Sequence, residues 1–266
     1  MKRKTLILFL AIILIMNPIK PRAKINSGIC KRMDNILYQS LLFPRPKKTE
    51  FKYFYATANV NVRESPNIKS KKVGIIYFNE RVKCVEELNH WYKIEYHKNT
   101  AYVNKDYFNK KQVSYIELDV PHNKGFKSYM PYALSNGKSI FISTSKQKLL
   151  QDNYAYDGSY GIRMINGRYC VAIGSHFTTN IGQYFDLVLE NGVVIPCVLA
   201  DAKADVHTDS SNIFTLHNNC CSEFIVNNNI LDNNAKKYGD ISKCTEEWES
   251  PVDKIIIYEK NILKEN

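Results

Sequence analysis

A chain of 266 residues with 44% hydrophobic side chains is long enough for two modest domains and too apolar for wholesale disorder. Its 37 basic and 26 acidic residues leave a formal net charge of +11, dispersed along the chain rather than packed into one arm. With no helix-turn-helix or zinc spacing beside it, that charge argues against nucleic acid as a partner and suits an acidic cell-envelope surface.

The first element is MKRK followed by TLILFLAIILIM, a basic head and an apolar run of secretory length, broken by Asn17 and Pro18. It is short for a membrane span. Residues 1–23 are therefore read as a signal peptide or a retained membrane anchor, with PRA ending at Ala23 a poor cleavage site. Export places the protein outside the cell or on the outer face of its envelope, in an oxidising medium. The seven cysteines fit that medium in part, since an odd number leaves at least one thiol unpaired or intermolecular. No C-x-x-C occurs, so neither a structural metal nor any other cofactor is expected. Cys170 and Cys197 both lie in strand-like runs and are either a facing pair or two small buried apolar residues. Residues 24–52, with two prolines and a charge cluster, form a spacer in which NILYQSLL is a short helix.

From residue 53 the texture becomes short strands and turns. NVNVR alternates, ESPN is a turn, KVGIIYFNERVKCVEEL is a hairpin, and WYKIEY with TAYVNKDYF completes a meander. The order of Asn61, Val62, Arg63, Pro66, Val73, Gly74, Val82, Trp91, Tyr92, Lys93, Ile94, Tyr102 and Val103 resembles the bacterial SH3-like domain of secreted cell-wall proteins. Ala101 stands where that family usually has glycine. The resemblance implies a small barrel over residues 53–109 that tethers its protein to peptidoglycan or its stem peptides. Trp91, Tyr92 and Tyr102 are the candidate ligand-binding aromatics, with the barrel core as the competing role for large rings.

Residues 110–125 are expected to be a connector without a Gly/Ser tract, and 126–260 a second β-rich domain. SIFISTSK reads as a strand and Gln147–Asp152 as a short helix. Asn166-Gly167 and Asn191-Gly192 mark hairpins. SEFIV is a strand leading to a short helix, and VDKIIIYEK closes the fold. The stretch GQYFDLVLENGVVIPCVLAD, a gap, and then SEFIV resemble the double-psi β-barrel wall domains, including the rare-lipoprotein-A-like and three-aspartate types. The expected fold is thus all-β: a signal or anchor segment, a small SH3-like barrel, and a six-stranded double-psi-like barrel with short helices.

In that second family an acid ends one strand and another precedes a helix. Here those positions fall on Asp201 and Glu223, although the glycines that usually follow the first acid are replaced by Ala202, Lys203 and Ala204. The resemblance implies glycan-strand cleavage of the lytic transglycosylase type, which needs a carboxyl whose pKa is raised by desolvation or by a like-charged neighbour. Asp201 is the candidate acid/base, supported by Asp205 or Glu223, while Lys203 would oppose the shift. His207 is a candidate ligand-binding side chain. The sequence D-x-H-x-D around it would supply metal ligands, but Ser210, Ser211 and Asn212 make the run a loop. CCSEFIV resembles the cysteine element of papain-like wall endopeptidases, yet Glu223 and the absence of any histidine after His217 oppose it. The remaining alternative is a wall-binding or adhesin-type protein with no catalysis.

Overall fold

The structure is a computed structural model that describes residues 51–264. The expected leader at 1–23, the NILYQSLL helix and all but the last two residues of the spacer lie outside the described residues. No helix among the described residues is long and apolar enough to cross a membrane.

The first sheet is built from β1 (Lys52–Ala56), β2 (Val60–Arg63), β3 (Lys72–Ile76), β4 (Arg81–Glu87), β5 (Trp91–Tyr96), β6 (Asn99–Asn104) and β7 (Phe108–Asn109), in the order β3-β2-β6-β5-β4-β1-β7. Alternate residues of these strands face inward. Phe54, Val62, Ile76, Val82, Ile94, Val103 and Phe108 form one apolar core. Ala101 sits in that core at 3% exposure, so its methyl group is accommodated where glycine was expected. Gly74 leaves room for the Tyr96 ring end: a Cβ there would lie 2.1 Å from the Tyr96 hydroxyl. The β5–β6 turn is made by His97 and Lys98, both at positive φ, a conformation for which neither side chain is suited.

The second sheet runs β10 (Tyr156–Asp157), β11 (Arg163–Ile165), β12 (Arg168–Ile173), β14 (Val194–Ala202), β13 (Gln183–Leu189), β16 (Val252–Asn261), β8 (Tyr115–Asp119). Off this path, β15 (Ser222–Val226) pairs with β12 and with β9 (Ser128–Pro131). Helices α1 (Lys146–Asn153) and α2 (Asn233–Tyr238) are capped by Ser145 and Asp232, whose side chains accept from backbone N–H groups of the first turn. The chain is therefore mostly β in two sheets, but neither sheet closes into the barrel expected from the sequence. In the second sheet one edge of β12 is divided between β11 and β15, so the strand order branches instead of returning on itself.

Strand β14 explains why VIPCVLA is apolar throughout. Ile195, Cys197 and Leu199 enter the core on one face of the sheet, while Val198 and Ala200 enter a second core on the other. The same division separates Cys170 from Cys197, which lie on opposite faces and do not face each other. The six cysteines of the described residues are all free. Asn166 and Gly167 both adopt positive φ in a two-residue turn. At the second hairpin only Gly192 does, within a longer loop closed by the Leu189 N–H to Val193 O bond. The strand expected in SIFISTSK does not form; Ser139 makes one bridge to Ala133, and Ile142 is 75% exposed. The expected connector instead contributes β8, an edge strand on β16.

The two sheets meet through the β3–β4 turn. Phe78 leaves the first sheet and enters the second core, edge-on to Tyr184 at 5.5 Å and Tyr258 at 5.0 Å between ring centroids. The Arg168 guanidinium lies 5.3 Å from the Phe78 centroid. Arg168 is itself buried, pairs with Asp186 and donates to the carbonyls of Cys197 and Phe185. Next to Phe78, Asn79 exchanges two hydrogen bonds with the backbone of Val113, at 2.8 and 2.9 Å. A buried aromatic and a fully paired buried amide at one turn make this a fixed joint.

Candidate functional site

On the first sheet, strand alternation divides the expected aromatics. Tyr92 points inward and stacks on Phe54 at 4.3 Å, so it belongs to the core and offers no groove surface. Trp91, Lys93, Tyr102 and Arg63 are half-buried and point outward. Lys93 pairs with Tyr102, Tyr102 pairs with Arg63, and Trp91 lies diagonally across the β5–β6 ladder from Tyr102. The result is a strip with two aromatic and two cationic side chains.

On the second sheet, the acids are gathered by register. Ala172 in β12 pairs with Asp201 on one side and Glu223 on the other. Paired residues share a face, so both carboxyl groups emerge from one side of the sheet, with Cα atoms about 10 Å apart across two strand spacings. A β-bulge makes this possible. Val171 pairs with Leu199 but Ala172 pairs with Asp201, which leaves Ala200 as an extra residue on β14. Without it, strand alternation would put Asp201 on the opposite face from Glu223.

Both acids line a cleft of about 560 Å³ with Met130, Lys203, Val206, His207, Leu216 and His217. Burial pushes the Asp201 carboxyl above the usual range and the Glu223 charge adds to the effect, against hydrogen bonds from the Gln147 amide (3.1 Å) and the Ala202 N–H (2.9 Å). Gln147 comes from the first turn of α1. Glu223 accepts from the Ser128 hydroxyl at 3.4 Å. Lys203 does not oppose the shift as expected: it is buried, and its amine is directed at the Cys220 sulfur, 3.5 Å away.

The residues between the two acids form a lip. The Leu216 N–H donates to His207 O at 3.0 Å, and Thr208 bridges Thr215. The lip rests against the chain just past β12 at Gly174, where a Cβ would lie 1.8 Å from the Asn212 carbonyl. His207 and His217 stand exposed on this rim. Asp205 does not line the cleft; it is exposed and accepts from the Ser175 hydroxyl at 2.5 Å. Asp209 is a turn residue whose carboxylate accepts from Ile213 N–H, Phe214 N–H and the Ser211 hydroxyl, and the Ser211 bond foremost holds its pKa down. Among the described residues no three His, Cys, Asp or Glu side chains are grouped to hold a metal ion. Cys220 and Cys221 are buried and lead into a strand, not a helix, and burial pushes the Cys221 thiol up to about 11. The helix N-terminus that a papain-type thiolate needs is therefore missing.

Gln147, Ser128 and His217 are site residues that the sequence did not single out. Gln147 and Ser128 reach their acids across 54 and 95 residues of chain, so no local pattern announces them. Comparison with curated proteins finds none that matches this chain. Comparison with protein families finds that residues 58–109, the span from β2 to β7, match the bacterial SH3 domain.

Proposed function

We propose that this is an exported cell-wall protein with two working surfaces. The outward strip of the SH3 domain binds peptidoglycan through its stem peptides, with Trp91 and Tyr102 supplying apolar contact and Lys93 and Arg63 meeting carboxylates. The cleft of the second sheet cleaves glycan strands. The parallel pairings β12–β14 and β9–β15 support its likeness to double-psi wall domains, although the sheet is open.

One observation carries the catalytic reading: Asp201 and Glu223 emerge on the same face of one cleft, and burial favours the protonated form of Asp201. A protonated Asp201 gives its proton to the glycosidic oxygen as the C–O bond breaks. Positive charge develops on the anomeric carbon, and the Glu223 carboxylate stabilises it. A hydroxyl of the same sugar then attacks that carbon, and its proton returns to Asp201. The product is an anhydro sugar, no water is consumed, and the acid is regenerated.

The test is release of anhydro-muropeptides from purified sacculi by the protein and by Asp201→Asn. Release by the wild type and loss in the variant, with sacculus binding retained, is the expected result. Binding without release by either protein would establish the adhesin-type alternative instead. New peptide termini would point to peptidase chemistry.

A further inference from the structure

We propose that the seam between the two sheets is a second binding site, for an uncharged sugar chain. A groove of about 580 Å³ runs there, with Asn59 and Tyr77 on the side of the first sheet and Tyr160, Val194, Thr245 and Trp248 on the other. It is distinct from the acid cleft. Val194 and Asp201 stand at opposite ends of β14, about 23 Å apart at strand rise.

Three features define the ligand. The first is aromatic surface: Tyr77 is 54% exposed and Tyr160 37% exposed, and Tyr160 leans edge-on against Trp248 at 5.6 Å. Tyr160 holds this place at a conformational cost, since its φ is +60°. Hydrogen bonds on both sides impose it: Asp232 N–H donates to Tyr160 O at 3.0 Å, and Asn227 N–H to Gly161 O at 2.8 Å. The strained backbone thus keeps one edge of the Tyr160 ring on Trp248 while part of it faces the groove.

The second feature is charge. In a protein of net charge +11, no Lys, Arg or His lines this groove among the described residues, and Glu247 is its one carboxylate. Phosphates, nucleic acids and acidic peptides therefore find no counter-charge here. The third is polar capacity. The Asn59 carbonyl oxygen is taken by the Phe78 N–H at 3.0 Å, and its NH₂ donates to no protein group among the described residues. Thr245 and Glu247 add hydroxyl and carboxylate acceptors. Pro196 removes one backbone donor that an added peptide strand would use. Flat rings beside an amide donor and hydroxyl and carboxylate acceptors match a pyranose, which has an apolar face and a hydroxylated edge. Naming wall glycan as the natural chain rests on the function proposed above; the groove's preference for a neutral sugar does not.

The probe is N-acetylchitotetraose, titrated into the full chain carrying Trp91→Phe, so that Trp248 is the sole tryptophan and its fluorescence reports the seam. Saturable quenching or enhancement is expected. Tyr77→Ala and Tyr160→Gly should each weaken binding at least tenfold. The first replaces an exposed side chain, and in the second the relieved φ offsets the lost edge contact with Trp248, so thermal melts should stay within a few degrees. Asp201→Asn should bind unchanged, even if no glycan cleavage is ever detected. Absence of a saturable signal, wild-type affinity in both tyrosine variants, loss of binding in Asp201→Asn, or displacement by a stem peptide would each overturn the proposal.

Discussion

Lys127 gives the sharpest test of the energetics. Its side chain is fully buried, and its amine donates to the carbonyls of Gly125 (2.8 Å), Trp248 (2.7 Å) and Ser250 (3.0 Å). Burial pulls its pKa down to about 8. An amine depressed in the fold sheds its proton before the unfolded chain does, so its contribution to stability rises with pH between about 8 and about 10.4, by roughly 2 kcal/mol at pH 9.5 relative to pH 7. The buried thiols act with the opposite sign. Burial pushes Cys170 and Cys244 up to about 12, Cys221 up to about 11 and Cys197 well above its ordinary value. Each stays protonated in the fold while the unfolded chain ionises from about pH 8.5, which costs about 1 to 2 kcal/mol per thiol at pH 9.5, or roughly 6 kcal/mol for the four. The thiols win, and the protein should lose about 4 kcal/mol between pH 7 and 9.5. Urea unfolding under reducing conditions at the two pH values measures this. Lys127→Met should deepen the loss to about 6 kcal/mol, and Cys170→Ala should trim it by about 1 to 2 kcal/mol. If Lys127→Met left the pH dependence unchanged, the three carbonyls would be holding the ammonium charged at pH 9.5, and burial would not be the governing influence.

Phe78→Ala empties the aromatic plug between the sheets and should destabilise the protein by about 3–5 kcal/mol, read as a fall in urea midpoint; a change below about 1 kcal/mol would mean that the joint is not a packed core. Replacing His97-Lys98 by Asn-Gly relieves two positive φ angles and should raise stability by about 1 kcal/mol in thermal melts. Trp91→Ala should weaken sedimentation with purified sacculi while leaving the melting temperature nearly unchanged, whereas Tyr92→Ala should cost about 3 kcal/mol or more of stability because it removes a core ring. Glu223→Gln removes the charge that helps raise the Asp201 carboxyl, so the alkaline limb of any cleavage activity, where Asp201 loses its proton, should move to lower pH; a limb at the same pH would show that desolvation alone sets Asp201.

The legible parts of this molecule are those written in neighbouring residues. The alternation of NVNVR and WYKIEY specified inward and outward faces, and Asn166-Gly167 specified a turn, because side-chain direction and φ preference act within a few residues. VIPCVLAD was readable as a strand ending in an acid, since a run buried on both faces has to be apolar at every position. The face on which Asp201 emerges was not readable. It depends on Ala200 bulging against β12, a decision made by the partner strand. Tyr115–Asp119 had the same handicap: its partner, β16, lies more than 130 residues on, and an edge strand paired on one side carries a weak pattern. Phe78 and Asn79 sat in a stretch that any reading would assign to a hairpin turn, and nothing local marks a turn residue as the plug of a different sheet.

That plug also bears on how the two surfaces can cooperate. A wall-binding domain on a flexible tether raises the local concentration of its partner domain over a wide volume of substrate. Here Phe78 is buried among Tyr184, Tyr258 and Arg168, and Asn79 is bonded twice to Val113, so the SH3 strip and the acid cleft are held at one separation and orientation. If the two surfaces act on the wall as proposed, rigid spacing restricts productive encounters to segments in which a stem peptide and a glycan bond lie at the matching distance. It follows that loosening the joint should affect the two surfaces differently. Asn79→Ala, which unties one attachment and leaves the Phe78 plug in place, should keep sacculus binding near the wild-type level and lower cleavage per bound molecule. Equal loss of both, or of neither, would show that the surfaces work independently of the joint.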